Sequence, residues 1–307
     1  MKIEILLSTY NGEKFLAEQL DSLLAQDYGE YHITIRDDGS SDGTPEILKA
    51  YEQANPERIT VLQDGMNRGY PDCFWYLLEN TPKADMYAFC DQDDVWDKEK
   101  LAWCAEKCKG QKEEEPLLYI HDYRISDGEL KVYSEYHISG QGFREDYCWN
   151  LIYYVMTSGF AMILNEALRK RVLHDPLYGK SLPHDRWIIW CAFFSGKIIT
   201  DCRMPVTYRR HEETVTITGK GNMALLREWW YHDIRGNQMA RWERIALQFA
   251  DCYSTEMEKK IPGCGKTWRM LARGKKGAYF RRLCFPHRMK PTMAGEIVLR
   301  LSFLLNK

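Results

Sequence analysis

The sequence runs to 307 residues with 42 Lys and Arg against 44 Asp and Glu, a formal charge of −2, and 45% apolar residues. Such a chain can bury one large core or two modest ones, and its composition excludes wholesale disorder. Its longest apolar run, Trp187 to Phe194, is eight residues, far below the roughly 20 that a membrane-crossing helix needs.

Residues 3–8 (Ile-Glu-Ile-Leu-Leu-Ser) predict a buried strand that runs into the polar turn Thr9-Tyr10-Asn11-Gly12. Phe15, Leu16, Leu20, Leu23 and Leu24 then recur at helical spacing. A second strand, Tyr31 to Arg36, leads into Asp37-Asp38-Gly39-Ser40-Ser41-Asp42-Gly43-Thr44, and Pro45 opens a helix carrying Ile47, Leu48 and Tyr51. The third strand, Ile59 to Leu62, precedes a Gly-containing loop and a helix around Cys73 to Leu78. The fourth, Met86 to Cys90, ends at Asp91-Gln92-Asp93-Asp94-Val95-Trp96. Four strand–helix alternations predict an α/β fold with a parallel sheet, in which ligands bind beyond the carboxyl ends of the strands. The turns after strands one, two and four fall on that edge. Gln111 to Glu115 reads as a solvated charge run, Leu117 to Ile120 as a further strand. Ser158 to Leu164 reads as a strand entering a helix at Asn165, Trp187 to Phe194 as a buried helix, and the chain beyond residue 222 as helical.

The acidic turn places three carboxylates in four positions. Hard oxygen ligands so closely spaced suit Mg²⁺ or Mn²⁺ when phosphates complete the shell; a solvated acidic turn is the alternative. Ser8-Thr9-Tyr10-Asn11 offers hydroxyls and an aromatic face to a nucleobase, or is an ordinary strand-to-helix turn. Asp37-Asp38 can accept hydrogen bonds from a base and ribose, while Ser41 and Asp42 are good caps for the following helix. Two look-alikes fail on their residues. Asp42-Gly43-Thr44 lacks the nucleophile of an aspartyl-phosphate motif, because position 40 is Ser40. Gly265-Lys266-Thr267 has Lys260 where a phosphate-binding loop needs Gly, and no strand leads into it.

Together and in order, Ser8-Thr9-Tyr10-Asn11, Asp37 to Thr44 and Asp91-Gln92-Asp93-Asp94 strongly resemble glycosyltransferase family 2, inverting enzymes of the GT-A fold. The resemblance is close over the first 110 residues and looser to about residue 220. It implies an α/β, Rossmann-like mixed sheet flanked by helices, with a mostly helical C-terminal extension. It also implies a nucleotide-diphospho-sugar donor, with Tyr10 and Asp38 on the base and Ser8, Thr9 and Asp37 in support. Asp91 would contact ribose or sugar, Asp93 would bind a divalent cation, Mn²⁺ or Mg²⁺, and Asp94 would orient the turn. Pro183-His184-Asp185-Arg186-Trp187 looks like the family's late acidic motif, which implies Asp185 as the base that deprotonates the acceptor hydroxyl. Many members carry Glu-Asp there, so His184 is a departure, placed with Trp187 in acceptor binding or support; the alternative for Asp185 is an N-cap. Tyr208-Arg209-Arg210-His211 with Thr214-Val215-Thr216 resembles the segment that closes over the diphosphate, pairing Arg209 and Arg210 with phosphate and His211 with the metal. These motifs look most like the rhamnosyltransferase-like branch, which implies dTDP-L-rhamnose as donor and a glycan or lipid-linked acceptor in cell-surface polysaccharide synthesis. A UDP-hexose donor or an inactive nucleotide-sugar-binding module are the alternatives. A nucleotidyltransferase would need a Gly-rich basic loop after strand one, which Thr9-Tyr10-Asn11-Gly12 is not.

The expected domains are a catalytic one over 1–220, with a donor half to 110 and an acceptor half beyond, and a helical basic region over 221–307. From Lys259 to Lys307 there are 13 Lys or Arg and one acid, Glu296. With the apolar residues from Ile297 to Leu305, this suits an anionic membrane surface, or a helical tail packed on its own domain. No nucleic-acid recognition module is present. No signal-peptide pattern opens the sequence and none of the ten cysteines forms a C-x-x-C pair. The expectation is therefore no zinc site, reduced thiols and a cytoplasmic protein, peripheral on the inner face of the membrane.

Overall fold

The computed structural model describes residues 1–138, 148–175, 177, 183–211, 238–272 and 279–305. They fall into two compact units, Met1–Ile138 with Thr157–His211, and Ser139–Met156 with Glu212–Lys307. Of the sequence readings, Thr214-Val215-Thr216 and the start of the helical region at 222–237 lie outside the described residues.

The first unit alternates as its periodicity requires: β1 (Ile3–Thr9), α1 (Leu16–Leu24), β2 (Tyr31–Asp37), α2 (Thr44–Ala54), β3 (Ile59–Leu62), α3 (Asp72–Asn80) and β4 (Met86–Cys90). It continues with β5 (Val95–Trp96), α4 (Lys100–Cys108), β6 (Leu117–His121), β7 (Tyr123–Ser126), β8 (Val132–Tyr136), β9 (Met162–Asn165), α5 (Glu166–Leu173), α6 (His184–Ser195), β10 (Lys197–Asp201) and β11 (Val206–Arg209). Seven strands form one sheet in the order β10-β6-β9-β4-β1-β2-β3. All neighbours run parallel except β9, which is antiparallel to β4 and β6. Strands β4, β6 and β9 are buried along their whole length, the continuous apolar pattern expected when both faces are covered.

Register sets up the site. Thr9 lies opposite Asp37 and Leu7 opposite Cys90, so the polar turns after β1, β2 and β4 leave the sheet side by side. A second sheet, β5-β11-β7-β8, pairs Thr207 with Val95 and so returns residues 209–211 to the acidic turn. Sequence periodicity gave no sign of this sheet, because its strands are two to five residues long.

Two readings change in detail. The stretch from Ser158 begins with a short 3₁₀ turn, Gly159–Ala161, before β9, and Asn165 caps α5 by accepting from the Leu168 amide at 2.9 Å. The apolar helix starts at His184, three residues before Trp187, so Asp185 sits in its first turn rather than at its N-cap.

In the second unit, α7 (Gln238–Cys252), α8 (Ser254–Lys260), α9 (Cys264–Ala272), α10 (Tyr279–Leu283) and α11 (Met293–Leu305) are joined by a 3₁₀ turn at Trp149–Ile152. Phe249 stacks on Tyr253 at 4.2 Å, and the Trp268 indole N–H donates to the Cys148 carbonyl at 3.2 Å. That packing brings Cys148 against Cys264, and the two are disulfide-bonded across 116 residues. The expectation that all ten cysteines are reduced is corrected for this pair; the other eight are outside any disulfide. Glu243 and Arg282, both buried, form an ion pair beside the Tyr153 hydroxyl, as buried charges require.

Candidate active site

The first polar turn is tied to the third by Gln92, the residue between Asp91 and Asp93, and to the second by Asn11. Gln92 Oε1 accepts from the Thr9 hydroxyl at 2.6 Å and the Tyr10 amide at 2.8 Å, and its Nε2 donates to the Tyr10 carbonyl at 3.2 Å. This close approach needs Gly12, where a Cβ would stand 2.5 Å from Gln92 Oε1. Asn11, at φ 47°, accepts from the Ser41 amide and donates its own amide to Ser40 Oγ. Ser40 in turn hydrogen-bonds Asp37 at 2.5 Å. The Tyr10 ring is half exposed above this clamp.

Asp38 is buried and fully engaged. Arg36 pairs with it, and the amides of Arg68 and Gly69 donate to its two oxygens at 2.8 and 2.7 Å. The carboxylate thus fixes the loop between β3 and α3. The Ser8 hydroxyl hydrogen-bonds Cys73 nearby.

The acidic turn divides as its neighbours dictate. Asp93 Oδ2 meets His211 Nε2 at 2.8 Å, with both side chains partly exposed. Asp94 is wholly buried; one oxygen accepts from the Arg209 amide at 3.2 Å and the other has no hydrogen-bond partner among the described residues. Burial, then the charges of Asp93 and Asp91, holds its carboxyl well above the usual range. Burial, then Asp93 and Asp185, pushes Asp91 up to about 7. Beneath them Lys100 is completely buried, donates to the Phe160 carbonyl at 2.8 Å and lies 3.2 Å over the Trp96 ring. Burial lowers its pKa to about 7 against the opposing pull of Cys90, Asp94, Cys104 and Asp91.

The Arg209 guanidinium, buried, is held by the Asp93 carbonyl at 2.9 Å, the Gly128 carbonyl at 2.8 Å and the Glu18 carboxylate, and lies over Phe15 at 4.5 Å. Arg210 sits beside the Tyr208 ring at 5.8 Å.

The first turn of α6 supplies the remaining groups. Asp185 accepts from the Arg186 amide at 2.6 Å, and burial pushes its pKa up to about 6, partly offset by that bond and by the Arg186 charge. His184 is buried among Phe74, Phe89 and Tyr70, at ring distances of 4.5, 4.5 and 6.0 Å. Among the described residues neither of its ring nitrogens has a hydrogen-bond partner, and burial drops its pKa to about 3. It is therefore a neutral group at physiological pH. Gly159 backs it, since a Cβ there would stand 2.4 Å from His184 Nε2. Trp187 is buried in the body of the helix.

Sequence reading missed Tyr70. Its side chain is 54% exposed, yet its hydroxyl feels the charges of Asp185 and Asp91, and its ring meets His184 edge-on. An aromatic in a Gly-Tyr-Pro turn was its only signal. Gln92 and Lys100 were missed because a motif names acids and not what holds them.

A divalent cation fits the residues present. Asp93 and His211 already converge as an oxygen and an imidazole donor. Burial first, and then the neighbouring acids, raise the pKa values of Asp91 and Asp94, and a bound cation would offset the repulsive part. Among the described residues no three ligating side chains form a complete shell, as suits a cation whose other ligands are diphosphate oxygens and water.

A family model described as glycosyl transferase family 2 matches residues 4–172. An uncharacterized glycosyltransferase of Nostoc sp. is 29% identical over 217 residues, covering 69% of this chain and 65% of that protein. A dTDP-rhamnosyl transferase, RfbG, of Shigella flexneri is 34% identical over 99 residues, covering 31% of this chain and 34% of that one. The chain thus aligns with less than two thirds of the length of these curated relatives. The solved structure of the mannosyltransferase PcManGT from Pyrobaculum calidifontis, in complex with GDP-Man and Mn²⁺, superposes with a TM-score of 0.54. It is 15% identical, covering 100% of this chain and 88% of that one. The likeness shows the fold: a GT-A mixed α/β sheet flanked by helices, with a helical C-terminal region.

Proposed function

The chain belongs to glycosyltransferase family 2, and on that premise we propose that it moves a sugar, with inversion, from a nucleoside-diphosphate sugar to a hydroxyl of a glycan or lipid-linked acceptor. The process is cell-surface polysaccharide synthesis, at the cytoplasmic face of the membrane. The catalytic domain is taken as residues 1–220, with the donor seated over 1–110 and the acceptor over 111–220. The proposed donor is dTDP-L-rhamnose, which the alignment with a dTDP-rhamnosyl transferase supports.

The observation that carries the reading is Asp185. It comes from α6 rather than from the three turns, and its pKa of about 6 suits a group that takes a proton near neutrality. In the proposed step the acceptor oxygen bonds to the anomeric carbon as the bond from that carbon to the diphosphate oxygen breaks. The acceptor's proton passes to Asp185, and the electron pair leaves with the nucleoside diphosphate. Tyr10 is set to stack on the base, with Ser8, Thr9, Asp37 and Asp38 shaping the turns beneath it. Asp91 faces the ribose or sugar, and Asp94, wholly buried, orients the turn. Asp93 and His211 would hold a divalent cation, which when bound neutralises charge on the leaving diphosphate. Arg209 anchors the acidic turn, Arg210 is set to meet phosphate, and His184 and Trp187 wall the acceptor side.

A thermal-shift screen of nucleotide sugars with Mn²⁺ tests the donor. A shift with dTDP-rhamnose alone is the expected result, and equal shifts with UDP-hexoses would overturn the rhamnose assignment. Asp185→Asn separates enzyme from binding module: donor binding should persist while transfer is lost.

A further inference from the structure

Helix α11 (Met293–Leu305) is amphipathic in an unusual sense. Glu296, Leu299, Ser302 and Phe303 are buried, each at most 6% exposed. Phe303 packs on Tyr153 at 5.4 Å, and Arg282 lies over its ring at 4.1 Å. The opposite face carries Met293, Ala294, Ile297, Leu301 and Leu304, all exposed, the large ones by 46 to 63%. At 3.6 residues per turn these five occupy an arc of roughly 100°. Within that arc there is no polar side chain. Phe280, 78% exposed, adds to it from α10, which packs against α11.

Charge says what covers this face. The stretch from Lys259 to Lys307 holds 13 cations and one acid, Glu296. That acid is turned inward, where its two oxygens accept from Arg300 at 2.7 Å and from the Met289 and Lys290 amides at 2.7 and 2.9 Å. Among the described residues of this stretch, the exposed charged side chains are therefore all cationic. Lys259, Lys260, Lys266, Arg281 and Arg288 are exposed. A second copy on the face would set one such cationic surface against another. An anionic lipid surface satisfies both the apolar arc and the charge. The helix has 13 residues, too few to cross a bilayer, and no described helix is long and apolar enough to do so.

We propose that α11 lies in the plane of an anionic membrane, with Met293, Ile297, Leu301 and Leu304 inserted at the headgroup boundary and Phe280 beside them. Exposed cations of the second unit, Arg281 next to Phe280 among them, add electrostatic attraction to the anionic surface. This assignment does not depend on the chemistry of the first unit.

Flotation of the full chain with vesicles tests it without any sugar substrate. The protein should float with phosphatidylcholine–phosphatidylglycerol vesicles and not with phosphatidylcholine alone, and high salt should release it. Ile297→Asp with Leu301→Asp should cut binding at least tenfold at an unchanged thermal midpoint. If the acidic pair unfolds the protein, Ile297→Gln with Leu301→Gln should give the same loss on a folded chain. Absence of flotation with anionic vesicles, or equal flotation by the folded double variant, would overturn the proposal. So would a concentration-dependent dimer, seen by sedimentation without lipid and abolished by the same pair, since a second copy would then be the occupant.

Discussion

At the scale of single residues, environment separates carboxylates that look alike in the sequence. Asp38 is spent on Arg36 and two backbone amides, Asp93 faces His211, and Asp185 accepts from the Arg186 amide in the first turn of its helix. The sign of its pH dependence follows. Burial raises its pKa to about 6, and a base must be deprotonated to act, so transfer should rise as pH climbs through about 6 and then level. Asp185→Asn should lower turnover by about 10²- to 10⁴-fold and remove that rise, read by transfer assays across pH; retained activity would move the base elsewhere. Tyr70, exposed beside Asp185 and His184, is placed to hold the face of a sugar ring. Tyr70→Ala should reduce transfer about tenfold without altering the donor's thermal shift, and Tyr70→Phe should recover most of it. A changed donor shift in the Ala variant would assign the ring to the donor instead.

At the scale of elements, the site depends on how turns are clamped. The strand pattern places the turns after β1, β2 and β4 on one edge, and Gln92 then locks the first to the third. Gln92→Leu leaves the Thr9 hydroxyl and Tyr10 amide without their acceptor, a cost of about 1–3 kcal/mol. The expected outcome is weaker binding of the nucleotide sugar, read by titration calorimetry, with the far-UV spectrum unchanged. Unaltered donor affinity would show that the clamp does not shape the donor site. Legibility was uneven at this scale. Long apolar strands announced themselves, but the two-residue β5 and four-residue β11 did not, and they are what carry Arg209 and His211 to the acidic turn. Sequence reading set Arg209 on phosphate; its guanidinium is instead surrounded by the Glu18 carboxylate and the carbonyls of Gly128 and Asp93, contacts no motif records.

At the scale of the whole molecule, the two units differ in how they are held. The first rests on a sheet whose central strands are buried along their length, the second on helices, with the Cys148–Cys264 bond joining the residue before the 3₁₀ turn to the start of α9. Closing a loop of this length contributes about 2–5 kcal/mol, so reductant should lower the denaturant midpoint of the helical signal. Thiol titration of the unreduced, unfolded chain should count eight and not ten; ten would remove the bond from the account. The sequence by itself determined the first four strands and the helices between them, the three polar turns at the strand ends and the cationic excess of the C-terminal stretch. Those properties are local, set by periodicity and residue type. Only the tertiary structure decided partnership: His211 meets Asp93 from 118 residues away, Cys148 finds Cys264, and Glu296 turns inward while Met293, Ile297, Leu301 and Leu304 turn out. Which side chains meet, and which face is left to solvent, depends on packing between distant segments, and no local pattern encodes it.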